Sequence, residues 1–312
     1  MQYLQALAGV LLIVLTVLNN TNAQTPKNYG DQKRLPIIDM HVHAFGEEGY
    51  DPKEFSLALP GSESPEMLFQ ETYEQFRRFN VVRAVVSGQP EIVELWKSKD
   101  EDNRIIRGIV MLSALDHDMT PARFEEMVRT GKIEVYGEII SPLSGTTISD
   151  PEWQPYLKIC EQYDIPLAIH TGATPPAIKG TWRSKTRVRL GDPYLIEDVV
   201  VRYPRLPIYM CHSGQQYHER VLTLMMDYSR LYSDLGWVLW GDPLKKRYAR
   251  EFLANAKEAG CVNRIMFGSD QMYWPQAIEM SIEYLNSLDF LTEQDKRDIL
   301  YNNAVRFLKL KE

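Results

Sequence analysis

The chain has 312 residues, 44% hydrophobic and 25% charged, proportions that exclude disorder, collagen or coiled coil as a description of the whole. Its 35 Lys and Arg against 42 Asp and Glu leave a net charge of −7, so nothing offsets a polyanion's charge and nucleic-acid binding is excluded. The length suits either two ordinary domains or one α/β barrel of roughly 250 residues, and the three cysteines cannot staple a chain of this size.

Residues 1–23 stand apart. They carry no charged side chain, and a mainly apolar run from Ala6 to Leu18 is followed by small residues at Thr21 and Ala23. This reads as a signal peptide cleaved after Ala23, placing the mature chain in an exported compartment, periplasmic or secreted. The alternative, an uncleaved anchor, is short of the roughly 20 apolar residues a membrane span needs. After cleavage no membrane contact is expected. Residues 24–34 form a polar lead-in, and residues 35–310 form one domain.

Within that domain short apolar runs recur at helix-length intervals: Pro36–Met40, Val81–Ser87, Ile105–Leu112, Ile133–Ile140, Ile165–Ile169, Leu206–Cys211, Leu231–Val238 and Arg264–Gly268. Most are rich in β-branched residues and too short for helices, as strands buried on both faces are. The stretches between them open on helix-start pairs, a capping oxygen before proline, at Ser64-Pro65, Thr120-Pro121, Asp150-Pro151, Asp192-Pro193 and Asp242-Pro243. Gly131 and Gly260 lie where helices should stop. Eight alternations without a linker predict a single (β/α)8 TIM barrel with a C-terminal helix. A doubly wound open sheet is disfavoured, because no GxGxxG follows the first strand. Cys160, Cys211 and Cys261 fall in separate elements and are expected to be buried free thiols.

Metal-competent side chains collect at the predicted strand ends. His41 and His43 have the strand period of two and point to one side. His170 and His212 end the fifth and sixth runs, Asp270 follows the eighth, and Glu138 sits inside the apolar fourth run, where an unpaired carboxylate would be costly. Each alone has an ordinary explanation: a loop-edge pair, a core histidine, a helix cap, a partner for an arginine. Together they mark the face on which barrel enzymes keep their chemistry. His117 and His218 are read as surface or supporting residues. Tyr273 either walls the pocket or packs under the last helix. Trp182 and Arg183, in a loop with five cations over the barrel mouth, are candidates to bind a small, anionic substrate; equally, the loop is a solvated one packing on neighbouring acids.

The segments Ile38-Asp39-Met40-His41-Val42-His43, Gly137-Glu138-Ile139, Ile169-His170-Thr171-Gly172, Cys211-His212-Ser213-Gly214 and Gly268-Ser269-Asp270, in this order, resemble the amidohydrolase superfamily, in its amidohydrolase-related branch. The tail Ile299–Leu308 is similar to that branch's final helix. The resemblance implies a metal-dependent barrel enzyme holding one or two divalent ions, expected to be zinc. In a binuclear arrangement His41, His43 and Asp270 hold one ion, His170 and His212 the other, and Glu138 bridges them. In a mononuclear one His41, His43, His170 and Asp270 bind a single ion and His212 acts as acid, base or orienter. The expected reaction is hydrolysis of an amide, ester or lactone, with a phosphoester also within reach, and Asp270 and His212 as the catalytic pair. The alternatives are a metal-dependent decarboxylase or lyase and a non-catalytic metal- or ligand-binding envelope protein. Nothing in the sequence bears on oligomeric state.

Overall fold

A computed structural model describes residues 34–48, 50–53, 59–114, 118–174 and 185–311. The signal-peptide reading, most of the lead-in, His117, and Trp182 and Arg183 lie outside the described residues. The barrel unit runs from Leu35 to Glu312.

Eight parallel strands pair in sequence order: β1 (Ile37–His43), β2 (Val81–Ser87), β3 (Ile105–Met111), β4 (Val135–Ile139), β5 (Leu167–His170), β6 (Ile208–Cys211), β7 (Leu231–Asp234) and β8 (Ile265–Met266). The circle is completed from β8 to β1 by main-chain bonds beyond the ladder: Met40 N donates to Phe267 O at 2.9 Å and Asp270 N to His41 O at 2.7 Å. The helices are α1 (Pro65–Phe79), α2 (Pro90–Ser98), α3 (Pro121–Arg129), α4 (Gln154–Tyr163), α5 (Glu197–Arg202), α6 (His218–Asp227), α7 (Pro243–Glu258), α8 (Gln276–Ser287), α9 (Glu293–Arg297) and α10 (Asn303–Phe307). This is the (β/α)8 barrel expected.

The start signals act as caps in most places. Ser64, Thr120 and Asp242 accept from first-turn amides of α1, α3 and α7, and Asp192 caps the short turn before α5. Asp150 does not cap its turn; its carboxylate reaches back to Thr147 N and Oγ1. Several strand ends differ from expectation by one or two residues, and two by more. β1 continues through His43, and β7 stops at Asp234 because the chain turns there, with Trp237 left-handed at φ 63°.

Ile38, Met40, Val85, Ile106, Val135, Ala168, Tyr209 and Met266 fill the barrel interior, and Ala304 and Phe307 of α10 pack against this cluster. Asn303 ties α10 to the eighth strand, its Nδ2 donating to Val262 O and Ile265 O. All three cysteines are free and buried.

Strand β1 carries the feature that builds the site. Its register with β2 slips between Asp39 and Val42: Asp39 pairs with Ala84 but Val42 with Val86, three steps against two. The extra residue inverts the alternation. Ile38 and Met40 lie in the inner cluster below the slip and Val42 in the outer layer above it, which leaves His41 and His43 facing the barrel mouth. Asp39 holds the irregular segment together: its Oδ1 accepts from His41 N at 3.0 Å and Ser269 N at 2.9 Å, sewing β1 to the chain after β8.

Candidate metal centre

Six side chains from five strands converge at the C-terminal end of the barrel. His41 Nε2 and His43 Nε2 stand 3.2 Å apart. Asp270 Oδ1 lies 3.1 Å from His43 Nε2 and 3.7 Å from His41 Nε2. Glu138 Oε2 is 3.5 Å from each of the same two nitrogens. Four ligands about 2.0–2.2 Å from a common centre at tetrahedral angles stand about 3.3–3.6 Å from one another, so this group has the spacing of a coordination shell.

The other oxygen of Glu138 serves a second group. Oε1 is 2.7 Å from His170 Nδ1 and 2.8 Å from His212 Nε2, and those nitrogens are 3.0 Å apart. These separations are hydrogen-bond lengths, drawn tighter than a coordination shell. Glu138 thus shows one oxygen to each group. Gly137 makes room for it: with φ at +150°, a Cβ there would lie 2.3 Å from Ala168 Cβ and 2.4 Å from Ala168 O of β5.

A supporting carboxylate fixes the histidines. Asp234 at the end of β7 is fully buried. Its Oδ2 is 2.9 Å from His41 Nδ1, while Oδ1 accepts from His212 N at 2.8 Å and Gly236 N at 2.9 Å. Assigning the His41 proton to Nδ1 on this partner leaves the Nε2 lone pair facing the cluster. His212 follows the same logic, with Nδ1 3.2 Å from Gly236 O and Nε2 directed at Glu138.

The electrostatics show a cluster that favours positive charge. Burial pushes Glu138 and Asp270 upward, yet the surrounding imidazoles outweigh it and hold both carboxyls below their ordinary range. Burial likewise pushes His41 down, but Asp234 and Asp270 more than reverse it; His43 and His212 are also raised, by Asp270 and Glu138. Burial lowers His170. Buried carboxylates packed among imidazoles demand positive charge, which a proton or a divalent cation can supply. Two buried atoms, Asp270 Oδ1 and His170 Nε2, have no hydrogen-bond partner. A neutral-nitrogen and carboxylate donor set with an orphaned oxygen fits a first-row divalent ion.

A cavity of about 770 Å³ opens above the cluster, with His43, Glu138, His170, His212 and Asp270 in its lining. Phe45, Trp237, Met272 and Tyr273 line it as well, and Phe45 stacks on Tyr273 with ring centroids 4.3 Å apart. Tyr273 is therefore a wall residue. Trp274, its neighbour, is fully buried and donates from Nε1 to Leu59 O.

All six side chains expected to gather from the sequence do so. His218 does not lie at the surface: it is buried at the start of α6, 5.9 Å ring to ring from Tyr248 of α7. Asp39 and Asp234 were not singled out, although both are acids in apolar strands, the signal that marked Glu138. Lys245 and Gln215, which also line the cavity, had no signal in the sequence.

Solved structures share this fold. An uncharacterized TIM-barrel protein from Bordetella bronchiseptica superposes with a TM-score of 0.65 at 16% identity, over 88% of this chain and 99% of that one. A probable 2-pyrone-4,6-dicarboxylic acid hydrolase from Acinetobacter baumannii, with citric acid bound, gives 0.60 at 15% identity, over 88% and 100%. The 2,6-dihydroxybenzoate decarboxylase from Rhizobium gives 0.56 at 15% identity, over 89% and 99%. No curated protein matches the chain. Residues 38–310 match the amidohydrolase family throughout, and the chain belongs to that family of metal-dependent barrel enzymes.

Proposed function

We propose that this chain is a hydrolase dependent on two divalent ions, zinc being the best match to the donor set. In this reading His41, His43 and Asp270 hold one ion, His170 and His212 the other, and Glu138 lies between them. The observation that carries the reading is the division of Glu138, with Oε2 at 3.5 Å from the His41 and His43 nitrogens and Oε1 within hydrogen-bond distance of His170 and His212. Divalent ions held by these residues would supply an acidified water and polarisation of a carbonyl oxygen.

The protein's own groups do the rest. Asp270, ionised among the imidazoles and facing the cavity, takes a proton from the attacking water and delivers it to the leaving group. His212, its Nδ1 on Gly236 O and its backbone N–H on Asp234, is held as a fixed ligand in this reading; with a single ion held elsewhere it would instead be free to orient the substrate oxygen. The reading covers amides, esters and lactones, with phosphoesters open to the same groups, and it includes export after Ala23.

A second reading, a decarboxylase or lyase using one ion, is favoured by two observations: the His41, His43 and Asp270 ligand atoms lie within reach of one ion while His170 and His212 close on Glu138 at hydrogen-bond lengths, and a decarboxylase shares the fold. The deciding experiment loads purified protein with zinc, counts the ions, and offers ester, lactone, amide and aryl-carboxylate panels in H₂¹⁸O. Hydrolysis with ¹⁸O in the acid product and about two ions per chain supports the first reading. Release of CO₂ with one ion supports the second, and two ions without turnover on any panel overturn both.

A further inference from the structure

We propose that Lys245, held by Gln215, is the anchor for a carboxylate on the substrate. This deepens the hydrolase reading by naming the chemical class of its substrate: an apolar acid, anchored by its carboxylate away from the reacting bond.

The lysine sits in the first turn of α7, and its side chain lines the same cavity as the metal-ligand cluster. Its Nζ donates to Gln215 Oε1 at 2.7 Å. An ammonium has three donors, and the structure shows only this one hydrogen bond. No carboxylate forms an ion pair with it among the described residues. Asp242, the nearest acid in sequence, is occupied by capping the Leu244 and Lys245 amides. Burial lowers the lysine's pKa below its ordinary value, with Asp242 opposing, and the Tyr248 ring centre lies 5.7 Å from Nζ.

Gln215 is placed for this contact. Buried and left-handed at φ 49°, it is fixed from its other end by Nε2 donating to Ala173 O at 2.8 Å. The room comes from Gly172, where a Cβ would lie 2.9 Å from Gln215 Cβ and Cγ. An orienting amide thus holds a half-buried ammonium in the cavity wall beyond β6 and β7.

The rest of the wall selects the body of the ligand. Across β2, β3 and β4 the cavity is lined by Ile92, Val110, Leu112, Ile140 and Leu143, a surface with no charge to offer. A ligand spanning the cavity meets a cation at one side and apolar side chains at the other, with Glu138 and Asp270 between. Lys245 is the single cation lining the cavity among the described residues, while Glu47, Glu48 and Asp242 are also in the lining. That balance suits a monoanionic carboxylate. A phosphate dianion calls for a denser set of cations.

The test measures binding, so it does not depend on turnover. Calorimetry with 4-phenylbutyrate and its uncharged isostere 4-phenylbutyramide is run on zinc-loaded wild type, Lys245→Met and Lys245→Arg at matched metal content. Wild type is expected to prefer the carboxylate at least about tenfold, Lys245→Met to lose most of that preference, and Lys245→Arg to keep most of it. Matched metal content makes any carboxylate–metal contact common to all three, so the difference reads Lys245. A preference retained in Lys245→Met, or absent in wild type, overturns the anchor; so does tighter binding of phenyl phosphate than of benzoate. Loss of every hydrolytic activity with a Lys245-dependent preference intact would refute the hydrolase reading and leave the anchor standing.

Discussion

Asp234 offers the sharpest test of how the cluster is held. It accepts two main-chain amides on Oδ1 and faces His41 Nδ1 with Oδ2 at 2.9 Å. In Asp234→Asn one oxygen remains for the amides of His212 and Gly236, but an NH₂ now points at the His41 proton. Two donors face each other, the imidazole shifts to its other tautomer, and the Nε2 lone pair is lost to the cluster. Removing a carboxylate behind a ligating histidine costs about 10–100-fold in metal affinity, or about 1.4–2.8 kcal/mol.

Asp234→Ala is a different experiment. It strands three buried donors, each worth about 1–3 kcal/mol when unsatisfied, and that sum rivals the whole stability of a domain at about 5–15 kcal/mol. Alanine therefore probes folding, whereas asparagine probes positioning. Zinc occupancy at graded free-metal concentrations, with calorimetric Tm on the same samples, separates the two. Asparagine should weaken zinc while costing far less Tm than alanine. An Asn variant that binds zinc as tightly as wild type would falsify the positioning role.

Glu138→Gln removes the charge that both halves of the cluster share, and should lower zinc occupancy from about two ions toward one; two ions undiminished would sink the bridging role. Gly137→Ala drives a Cβ to 2.3 Å from Ala168 Cβ, an overpacking cost of about 1–3 kcal/mol or more, visible as a lower Tm and contradicted by an unchanged one. Because Asp234 and Asp270 raise His41, and Asp270 and Glu138 raise His43 and His212, protons compete with metal at these nitrogens. Zinc affinity should therefore fall as the pH is lowered from about 8 to about 5, and a pH-independent chelator titration would count against these ligands. Export predicts a mature chain beginning at Gln24 in the native host, and intact Met1 by mass spectrometry would overturn it.

The barrel was legible because strands buried on both faces leave short β-branched runs, and five of the intervening stretches opened on a capping residue before proline. The six converging side chains were legible only together: each alone has an ordinary structural use, but metal-competent groups recurring at five strands of one barrel do not. What stayed hidden depends on partners distant in sequence. The register slip at Asp39 leaves no mark on the alternation of β1 read alone, since it is defined against β2. Asp234 was concealed inside a run taken to continue to Val238, so its place at a strand end was lost. Lys245 looks like any charged residue in the first turn of a helix; its meaning comes from Gln215, thirty residues away.

Buried carboxylates near the barrel mouth share a residue class but not a task, and their partners separate them. Asp39 is saturated on Oδ1 by two amides and does not line the cavity; burial pushes its carboxyl up to about 7 against the bonds from Ser269 and His41, and its task is to hold β1 to the chain after β8. Asp234 spends both oxygens on His41 and on two amides, so it can orient but has nothing free to exchange. Glu138 is divided between two histidine groups, and protonating either oxygen would break one of them. Asp270 alone combines an ionised carboxyl, an oxygen without a hydrogen-bond partner and a place in the cavity lining. A proton carrier needs all three: charge to accept the proton, a lone pair to receive it, and access to the substrate that takes it next. That combination is the physical ground on which the proton-transfer role is proposed for Asp270.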